Sequence, residues 1–286
     1  MPKLPKKTIK RINKVKLPLV RACPCMIDHL SCGYFNISHI LGCPYNCSYC
    51  FLHTYYGKDE IVIYDNDEEL LRQVKEFLQK QQIPCRIGTG QYSDSLALDL
   101  ETGMSKKLIE LFARQDKHLL ELKTKSANVD HLLGLNHNQK TVIAWSVNPQ
   151  KIVESEEKGA VSLMERIAAA KKCAAAGYPV AFHFDPIIYY EGWEGDYAGV
   201  VKFIFKEIPD QNIAWISLGA LRYKKERYPE EQRIGIFNFM AETIRKYSTD
   251  AFIYLCMENT VVWQLVKLRN LPSPYKAFFR PAKKTT

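Results

Sequence analysis

The chain has 286 residues, of which 47% are hydrophobic and 25% are charged; this composition excludes an intrinsically disordered protein and allows a sizeable hydrophobic core. It contains no apolar run of about 18 residues, and its Lys-rich start lacks the continuous apolar stretch that a secretory signal needs, so we predict a cytoplasmic protein with no membrane partner. Nine cysteines are an odd number, which argues against a disulfide framework and for metal or thiol chemistry.

The net charge of +9 is concentrated at the beginning of the chain. The first 27 residues contain no acid and the basic residues Lys3, Lys6, Lys7, Lys10, Arg11, Lys14, Lys16 and Arg21. Such a segment suits a polyanion such as nucleic acid, and a solvated terminus that aids solubility is an equal alternative. We predict a basic N-terminal extension over residues 1–30, one globular domain over residues 31–270 and a C-terminal tail over residues 271–286.

After the extension, short apolar runs alternate with amphipathic stretches, which is typical of repeated βα units. The predicted strands are residues 35–41, 86–90, 119–124, 141–147, 180–185, 213–218 and 252–256. One helix is predicted to begin near Asp67, and another to begin at a capping box of Ser162 and Glu165 and to end at Gly177. This alternation fits either an open doubly wound sheet or a barrel of the α/β class.

A cysteine-rich loop follows the first predicted strand. Cys43, Cys47 and Cys50 are spaced by three and then two intervening residues, so the loop can hold a [4Fe-4S] cluster through three thiolates and leave the fourth iron open. S-adenosylmethionine can bind such an iron and be cleaved to a 5′-deoxyadenosyl radical, which predicts a radical enzyme. Because sites lie at the carboxyl ends of strands, this loop favours a partial barrel over an open sheet.

Zinc is the alternative ligand of these three cysteines. His53 or Cys32 would then supply the fourth ligand. The chain has only one Cys-x2-Cys pair here, and Phe51 directly after the last cysteine suits the packing of an adenine ring, so the cluster is favoured.

A looser group of cysteines lies upstream. Cys23 and Cys25 flank a proline, and Cys32 follows seven residues later. With no partnered histidine nearby, buried or surface thiols are favoured over a second metal site, although such a site stays an alternative.

Several short segments accompany the cysteine loop over residues 42–194. They are Cys50-Phe51-Leu52, Ser93-Asp94, Thr124-Lys125, Val129-Asp130-His131-Leu132-Leu133, Ser146-Val147-Asn148 and Glu191-Gly192-Trp193-Glu194. Together with the loop, they resemble the spore photoproduct lyase family of radical S-adenosylmethionine enzymes. The resemblance implies a partial (β/α)6 TIM-like barrel, an electron donor such as flavodoxin or ferredoxin, and cofactor contacts at Tyr49, Phe51, Ser93, Lys125, Ser146 and Asp185.

The chain departs from the family where the hydrogen-donating cysteine is expected. Gln91 stands at that position, and an amide does not readily donate a hydrogen atom. Cys85 lies about 20 Å away along the predicted strand, toward the other end of the barrel. Cys256, at the carboxyl end of the last predicted strand, is the better candidate for a catalytic thiol.

A second departure concerns the grip on the substrate. The segment after Arg222 passes through residues 227–229 into a helix near Ile234 without room for the family's lesion-binding hairpin. Base stacking would then depend on Tyr189, Tyr190 and Trp193, and packing at the rim of the barrel is an equal alternative for these three residues.

Three hypotheses follow from the sequence. The first is a lyase-like radical enzyme acting on a DNA thymine lesion or a nucleotide. The second keeps the radical chemistry and assigns a substrate other than DNA. The third is a zinc-stabilised nucleic-acid-binding protein without catalysis; the sequence leaves the oligomeric state open.

Overall fold

The computed structural model describes residues 7–14, 18–25, 29–56, 59–222, 228–270, 273–279 and 282–283. The strands are β1 Thr8–Ile12, β2 Val20–Ala22, β3 Leu30–Ser31, β4 Tyr34–Ile37, β5 Ile40–Leu41, β6 Asn46–Cys47, β7 Glu60–Tyr64, β8 Arg86–Gly88, β9 Leu119–Thr124, β10 Thr141–Ser146, β11 Glu157–Lys158, β12 Val180–Ile187, β13 Ile213–Ala220, β14 Ile253–Leu255 and β15 Ala282–Lys283. The α-helices are α1 Leu52–Tyr56, α2 Asp67–Lys80, α3 Asp99–Thr102, α4 Met104–Phe112, α5 Gln150–Glu156, α6 Leu163–Ala175, α7 Trp193–Glu207, α8 Glu230–Arg245 and α9 Thr260–Leu265, with 3-10 turns at Asp130–Leu132, Asp210–Asn212 and Pro274–Phe278.

The central sheet has the strand order β14-β13-β12-β10-β9-β8-β4-β2 and curls into a partial barrel. Its neighbours from β4 to β14 are parallel, and β2 joins β4 in the antiparallel direction. Helices alternate with these strands and cover the outside, which explains why β9, β10 and β13 are buried almost throughout. Each of the seven strands predicted from apolar runs has a counterpart in this sheet, although the first is shorter than predicted.

The first predicted strand is shorter than expected, for a reason outside its own sequence. The prediction ran from residue 35 to residue 41, whereas β4 ends at Ile37. Ile40 and Leu41 form a separate strand, β5, that pairs with Ile63 and Val62 of β7. An apolar run alone does not reveal that the chain changes its pairing partner halfway along.

The helix boundaries follow from local capping chemistry. Asn66 caps α2, since its side-chain oxygen accepts a hydrogen bond from the Glu69 backbone N–H at 3.1 Å. Ser162 and Glu165 form the predicted capping box of α6. Gly177 follows the same helix with φ of +87°, a conformation that favours glycine and lets the chain turn into β12.

The end of the barrel opposite the cysteine loop is closed by a buried cation. Arg86, the first residue of β8, lies 3.0 Å from the Glu121 carboxylate, and both side chains are 2% exposed. The hydroxyl oxygen of Tyr254 accepts a second contact of Arg86, a hydrogen bond from its guanidinium at 3.0 Å. The ring of Phe279, near the end of the described chain, lies 4.2 Å from the Arg86 guanidinium carbon and packs on Trp215. The last described segments therefore form the floor of the barrel.

Two further contacts join the first and last segments of the chain. The Leu30 backbone N–H donates to the Glu258 carbonyl at 2.8 Å, and β15 pairs with β3 in the antiparallel direction. These contacts join the segment before β4 to the segments that follow β14. In the described ranges, no helix is both long and apolar enough to cross a membrane.

Candidate active site

The cysteine loop begins at a position that requires glycine. Gly42 has φ of +89°, and a Cβ atom there would lie 2.6 Å from the Glu60 carbonyl oxygen. From this turn the loop carries Cys43, then Cys47 on β6, then Cys50 directly before α1. The Cys50 N–H donates to the Cys47 carbonyl at 3.1 Å, which tightens the last part of the loop.

A buried ionic network fixes this loop to the barrel. β11 pairs with β6, so that Glu157 lies opposite Cys47. The Glu157 carboxylate accepts hydrogen bonds from the Tyr49 hydroxyl and, at 2.9 Å, from Asn148. Arg166 Nη2 lies 2.5 Å from Glu157 as an ion pair that is not aligned as a hydrogen bond, and both side chains are fully buried. The loop is therefore held by secondary structure and by charge.

The Arg166 guanidinium also makes hydrogen bonds that place it under the strand ends. It donates through Nη1 to the Ser146 carbonyl and through Nε to the Val161 carbonyl, each at 3.0 Å. These bonds connect the last residue of β10 to the start of α6, so that the same side chain supports both the loop and a predicted cofactor contact.

One lysine of the predicted basic extension contacts the loop from outside. Lys7 Nζ donates to the carbonyl oxygens of Cys43 at 2.7 Å and Tyr45 at 3.1 Å. The neighbouring Arg11 forms an ion pair with Asp65 at 2.7 Å. These two cations thus have partners within the chain. Lys3, Lys6 and Lys16, which the prediction of a polyanion-binding segment included, lie outside the described residues.

A cavity of about 960 Å³ opens beside the loop at the carboxyl ends of the barrel strands. Every site residue predicted from the sequence lines it: Cys43, Cys47, Tyr49, Cys50, Phe51, Ser93, Lys125, Ser146, Asp185 and Cys256. The parallel strands explain this convergence, because their carboxyl ends meet at one rim. What these side chains bind stays a prediction.

Asp94 organises the rim between β8 and β9. Its carboxylate accepts hydrogen bonds from the Thr124 hydroxyl and the Lys125 backbone N–H, both at 2.6 Å. The adjacent Ser93 hydroxyl is buried and has no hydrogen-bond partner in the part of the chain that the structure describes. An unpartnered buried hydroxyl on a cavity wall suits a polar ligand, because it could bond one without breaking another contact.

Lys125 is the cation of the rim nearest the loop. Its Nζ lies 5.8 Å from the centre of the Tyr49 ring. Burial would lower the pKa of Lys125, but the charges of Glu157 and Cys47 raise it above its ordinary value. The side chain therefore carries a positive charge that suits a carboxylate ligand.

Asp185 and Arg222 form a second charged pair on the rim. Arg222 donates to the Asp185 carboxylate at 2.6 Å and to the Cys256 carbonyl at 2.8 Å. Burial would raise the pKa of Asp185, but Arg222 holds it below its ordinary value, and the Cys256 thiol also hydrogen-bonds to the carboxylate. A Cβ atom on Gly219 would lie 2.4 Å from Asp185 Oδ1, so the pair occupies space that only glycine leaves.

The structure adds residues that sequence reasoning missed. Neither Asp94 nor Arg222 was predicted as a site residue; Asp94 belongs to a segment shared with the family, and Arg222 begins the connection to α8. The aromatic residues Tyr55, Tyr56 and Tyr92 also line the cavity. Tyr55 and Tyr56 lie on the short helix α1 directly after the cysteines, which was the available signal.

The three aromatic residues predicted for base stacking do not form one platform. Trp193 is 4% exposed and packs on Phe239 at a ring distance of 5.0 Å, so it belongs to the core and the stacking prediction for it is wrong. Tyr190 lies beneath Lys151, whose Nζ is 4.0 Å from the ring centre. Tyr189 is 49% exposed and alone keeps an accessible face. The prediction about the missing hairpin concerns residues 223–227, which lie outside the described residues.

The remaining cysteine predictions can be compared with the contacts. Cys85 Sγ lies 3.1 Å from His118 Nδ1, near the amino-terminal ends of β8 and β9, as expected for a thiol remote from the site. Over the described ranges, no three His, Cys, Asp or Glu side chains converge closely enough to hold a single metal ion. The zinc alternative with His53 or Cys32 stays a prediction.

The residues fit a cluster with S-adenosylmethionine. One loop supplies three thiols, and the rim supplies a cation at Lys125 and, among the described residues, an unpartnered hydroxyl at Ser93. The aromatic side chain of Phe51 lines the same cavity, where an adenine ring can pack on it. Three thiolates from one loop are the ligand set that leaves a fourth iron open for the cofactor.

Comparison with known proteins gives a consistent result. The spore photoproduct lyase family model matches residues 30–247. Spore photoproduct lyase of Bacillus subtilis is 36% identical over 178 residues, which cover 61% of this chain and 52% of that protein. The enzyme of the same name from Clostridium acetobutylicum is 28% identical over 181 residues, or 63% of this chain and 54% of that protein. The matches thus span about half the length of these curated relatives.

Among solved structures, a spore photoproduct lyase variant with bound AdoMet and dinucleoside spore photoproduct is similar. It has a TM-score of 0.71 and 26% sequence identity, and the match covers 78% of this chain and 76% of that one. This similarity confirms the α/β class and the partial barrel predicted from the cysteine loop.

Proposed function

Because the chain belongs to the spore photoproduct lyase family, we propose that it is a radical S-adenosylmethionine enzyme acting on a thymine lesion of the spore photoproduct type or a related nucleotide. The observation that carries the proposal is the convergence of the three loop thiols and all six predicted cofactor contacts on one cavity. The names of the relatives and the ligands of the similar solved structure support the same substrate class.

In this proposal, Cys43, Cys47 and Cys50 bind three irons of a [4Fe-4S] cluster and leave the fourth for the cofactor. When bound, the cluster supplies an electron that cleaves S-adenosylmethionine to a radical able to take a hydrogen atom from the substrate. Lys125 binds the cofactor carboxylate, and the Ser93 hydroxyl donates to it or to the ribose. The remaining barrel walls exclude water from the reaction.

Two partners belong to the proposal. An electron donor such as flavodoxin or ferredoxin must reach the cluster loop. A nucleic acid would approach the open rim, where Arg21 lines the cavity with its guanidinium carbon 6.0 Å from the centre of the Tyr92 ring. The exposed Lys10 and Lys14 can contribute charge nearby on the chain.

Anaerobic reconstitution with iron and sulfide tests the proposal. The reduced protein is expected to convert S-adenosylmethionine to 5′-deoxyadenosine and methionine, and to release thymidines from dinucleoside spore photoproduct. Cys47→Ala should abolish both, whereas Cys173→Ala, which removes a buried thiol on α6, should abolish neither. Zinc without iron in the purified protein, or cofactor cleavage that is unchanged in Cys47→Ala, would contradict the proposal.

A second candidate keeps this chemistry and changes the substrate. Gln91 lines the cavity at the position where the resemblance expects the hydrogen-donating cysteine. Without a returning donor, each turnover would consume one cofactor molecule. A labelled substrate separates the two: deuterium recovered in reisolated S-adenosylmethionine supports a lyase cycle, and deuterium found only in 5′-deoxyadenosine supports the second candidate.

A further inference from the structure

A second group of thiols lies in the same cavity as the cysteine loop. Cys23, Cys25, Cys32 and Cys256 all line it, although they come from three separate parts of the chain. The first two follow β2, the third precedes β4, and the fourth follows β14. In the curled sheet, β2 and β14 are the two edge strands. The group therefore assembles only where the fold brings the two edges together.

The contacts within this group are close. The Cys23 thiol is hydrogen-bonded to the Cys25 thiol and interacts electrostatically with Cys32 and with Cys256. The backbone supports this arrangement, since the Cys25 N–H donates to the Cys23 carbonyl at 2.9 Å in a tight turn around Pro24. The Cys23 N–H in turn donates to the Tyr34 carbonyl at 2.8 Å.

Two arginines lie beside the group. Arg86 Nη2 lies 3.1 Å from Cys32 Sγ, and Arg222 donates to the Cys256 backbone carbonyl. Burial raises the pKa of the Cys32 and Cys256 thiols above the ordinary value, so iron must displace their protons when it binds. Three of the four side chains are less than 10% exposed, at 7%, 6% and 9% for Cys23, Cys25 and Cys32, which suits a site shielded from water. The four thiols also lie around a single cavity that could admit inorganic iron and sulfide.

We propose that Cys23, Cys25, Cys32 and Cys256 bind a second iron–sulfur cluster of the [4Fe-4S] type. Four thiolates are the complete ligand set of such a cluster, in contrast to the three of the loop. Each thiol loses its proton to solvent as it binds iron. In this site Cys256 is a ligand, which replaces the hydrogen-donor role predicted from its position on β14.

This inference goes beyond the proposed function and does not depend on it. The loop cluster is the one that would bind S-adenosylmethionine, whereas the second cluster would have no open iron. An inactive protein that still contained both clusters would therefore contradict the proposed function and leave this inference intact.

Iron content of the full chain, reconstituted anaerobically under reductant, is the primary test. The wild-type protein is expected to bind about eight irons and about eight sulfides, two clusters of four. The triple variant Cys43→Ala, Cys47→Ala, Cys50→Ala leaves the second group untouched and is expected to keep about four irons. Its reduced form should show an electron paramagnetic resonance signal that does not shift on adding S-adenosylmethionine.

The reciprocal variant carries Cys23→Ser, Cys25→Ser and Cys32→Ser and should keep about four irons with a signal that does shift on adding the cofactor. Cys173→Ala is the matched control, since it removes a buried thiol outside the cavity and should keep both clusters. Loss of all iron from the loop variant, with its thermal unfolding unchanged, would overturn the inference. So would zinc or a disulfide at the second group in mass spectrometry of the wild-type protein.

Discussion

Replacing Glu157 with Gln removes the one acidic side chain at the centre of the buried network that holds the cysteine loop. The substitution keeps the size of the side chain and an oxygen that can still accept from Asn148. It takes away the negative charge that Arg166, 2.5 Å away, and Lys125 both depend on. The expected effect is therefore electrostatic.

The size of the effect follows from the burial of the pair. Two unit charges about 4 Å apart attract by about 4 kcal/mol at an effective dielectric constant of about 20. Removing one partner of a buried ion pair typically costs about 3–5 kcal/mol, because the other charge stays buried without compensation. Since Arg166 is fully buried, we expect the free energy of unfolding to fall by about this amount in Glu157→Gln.

Urea-induced unfolding of the anaerobic, reconstituted protein measures this loss as a shift of the midpoint. Glu207→Gln is the matched control, because Glu207 pairs with Lys171 at 2.8 Å between α6 and α7, with 24% and 62% of the two side chains exposed. A surface pair of this kind is worth about 0–1 kcal/mol. Equal shifts in the two variants would refute the view that a buried charge anchors the loop.

Two further predictions concern other parts of the site and its support. Burial lowers the pKa of His39 to about 4, so as the pH falls below about 6.5 the unfolded state binds a proton that the folded state does not. The free energy of unfolding of the wild-type protein should therefore fall by about 3 kcal/mol between neutral pH and pH 4, relative to His39→Gln. Parallel pH profiles of the two proteins would contradict this. Gly219→Ala should displace the Asp185 carboxylate and weaken S-adenosylmethionine binding in calorimetry at least about tenfold, whereas Gly199→Ala, with open space around it, should leave affinity unchanged.

Local signals in the sequence predicted the elements well. Apolar runs located the parallel strands, and the Ser162 capping box located the start of α6, because both depend on neighbours within a few residues. The resemblance to the spore photoproduct lyase family supplied Ser93, Lys125 and Asp185, and all three line the one cavity at the strand ends. This part of the site was within reach of the sequence.

The sequence did not predict the buried network that supports the site. Glu157 contacts Tyr49 across 108 residues and Asp185 contacts Arg222 across 37 residues, and no local pattern reports such pairs. Trp193 was a different case. Its spacing to Tyr197 and to the later buried positions of α7 is that of one buried helical stripe, so the sequence contains a local pattern that marks Trp193 as a core residue.

The floor of the barrel has a consequence for how the protein is made. Arg86 precedes in the chain most of the rings that surround its guanidinium, and the last of these is Phe279, whose ring centre lies 4.2 Å from the guanidinium carbon. A ribosome builds the chain from its amino terminus, and domains begin to fold as they emerge. The floor of the barrel is therefore completed after the strands of the sheet it closes have been made.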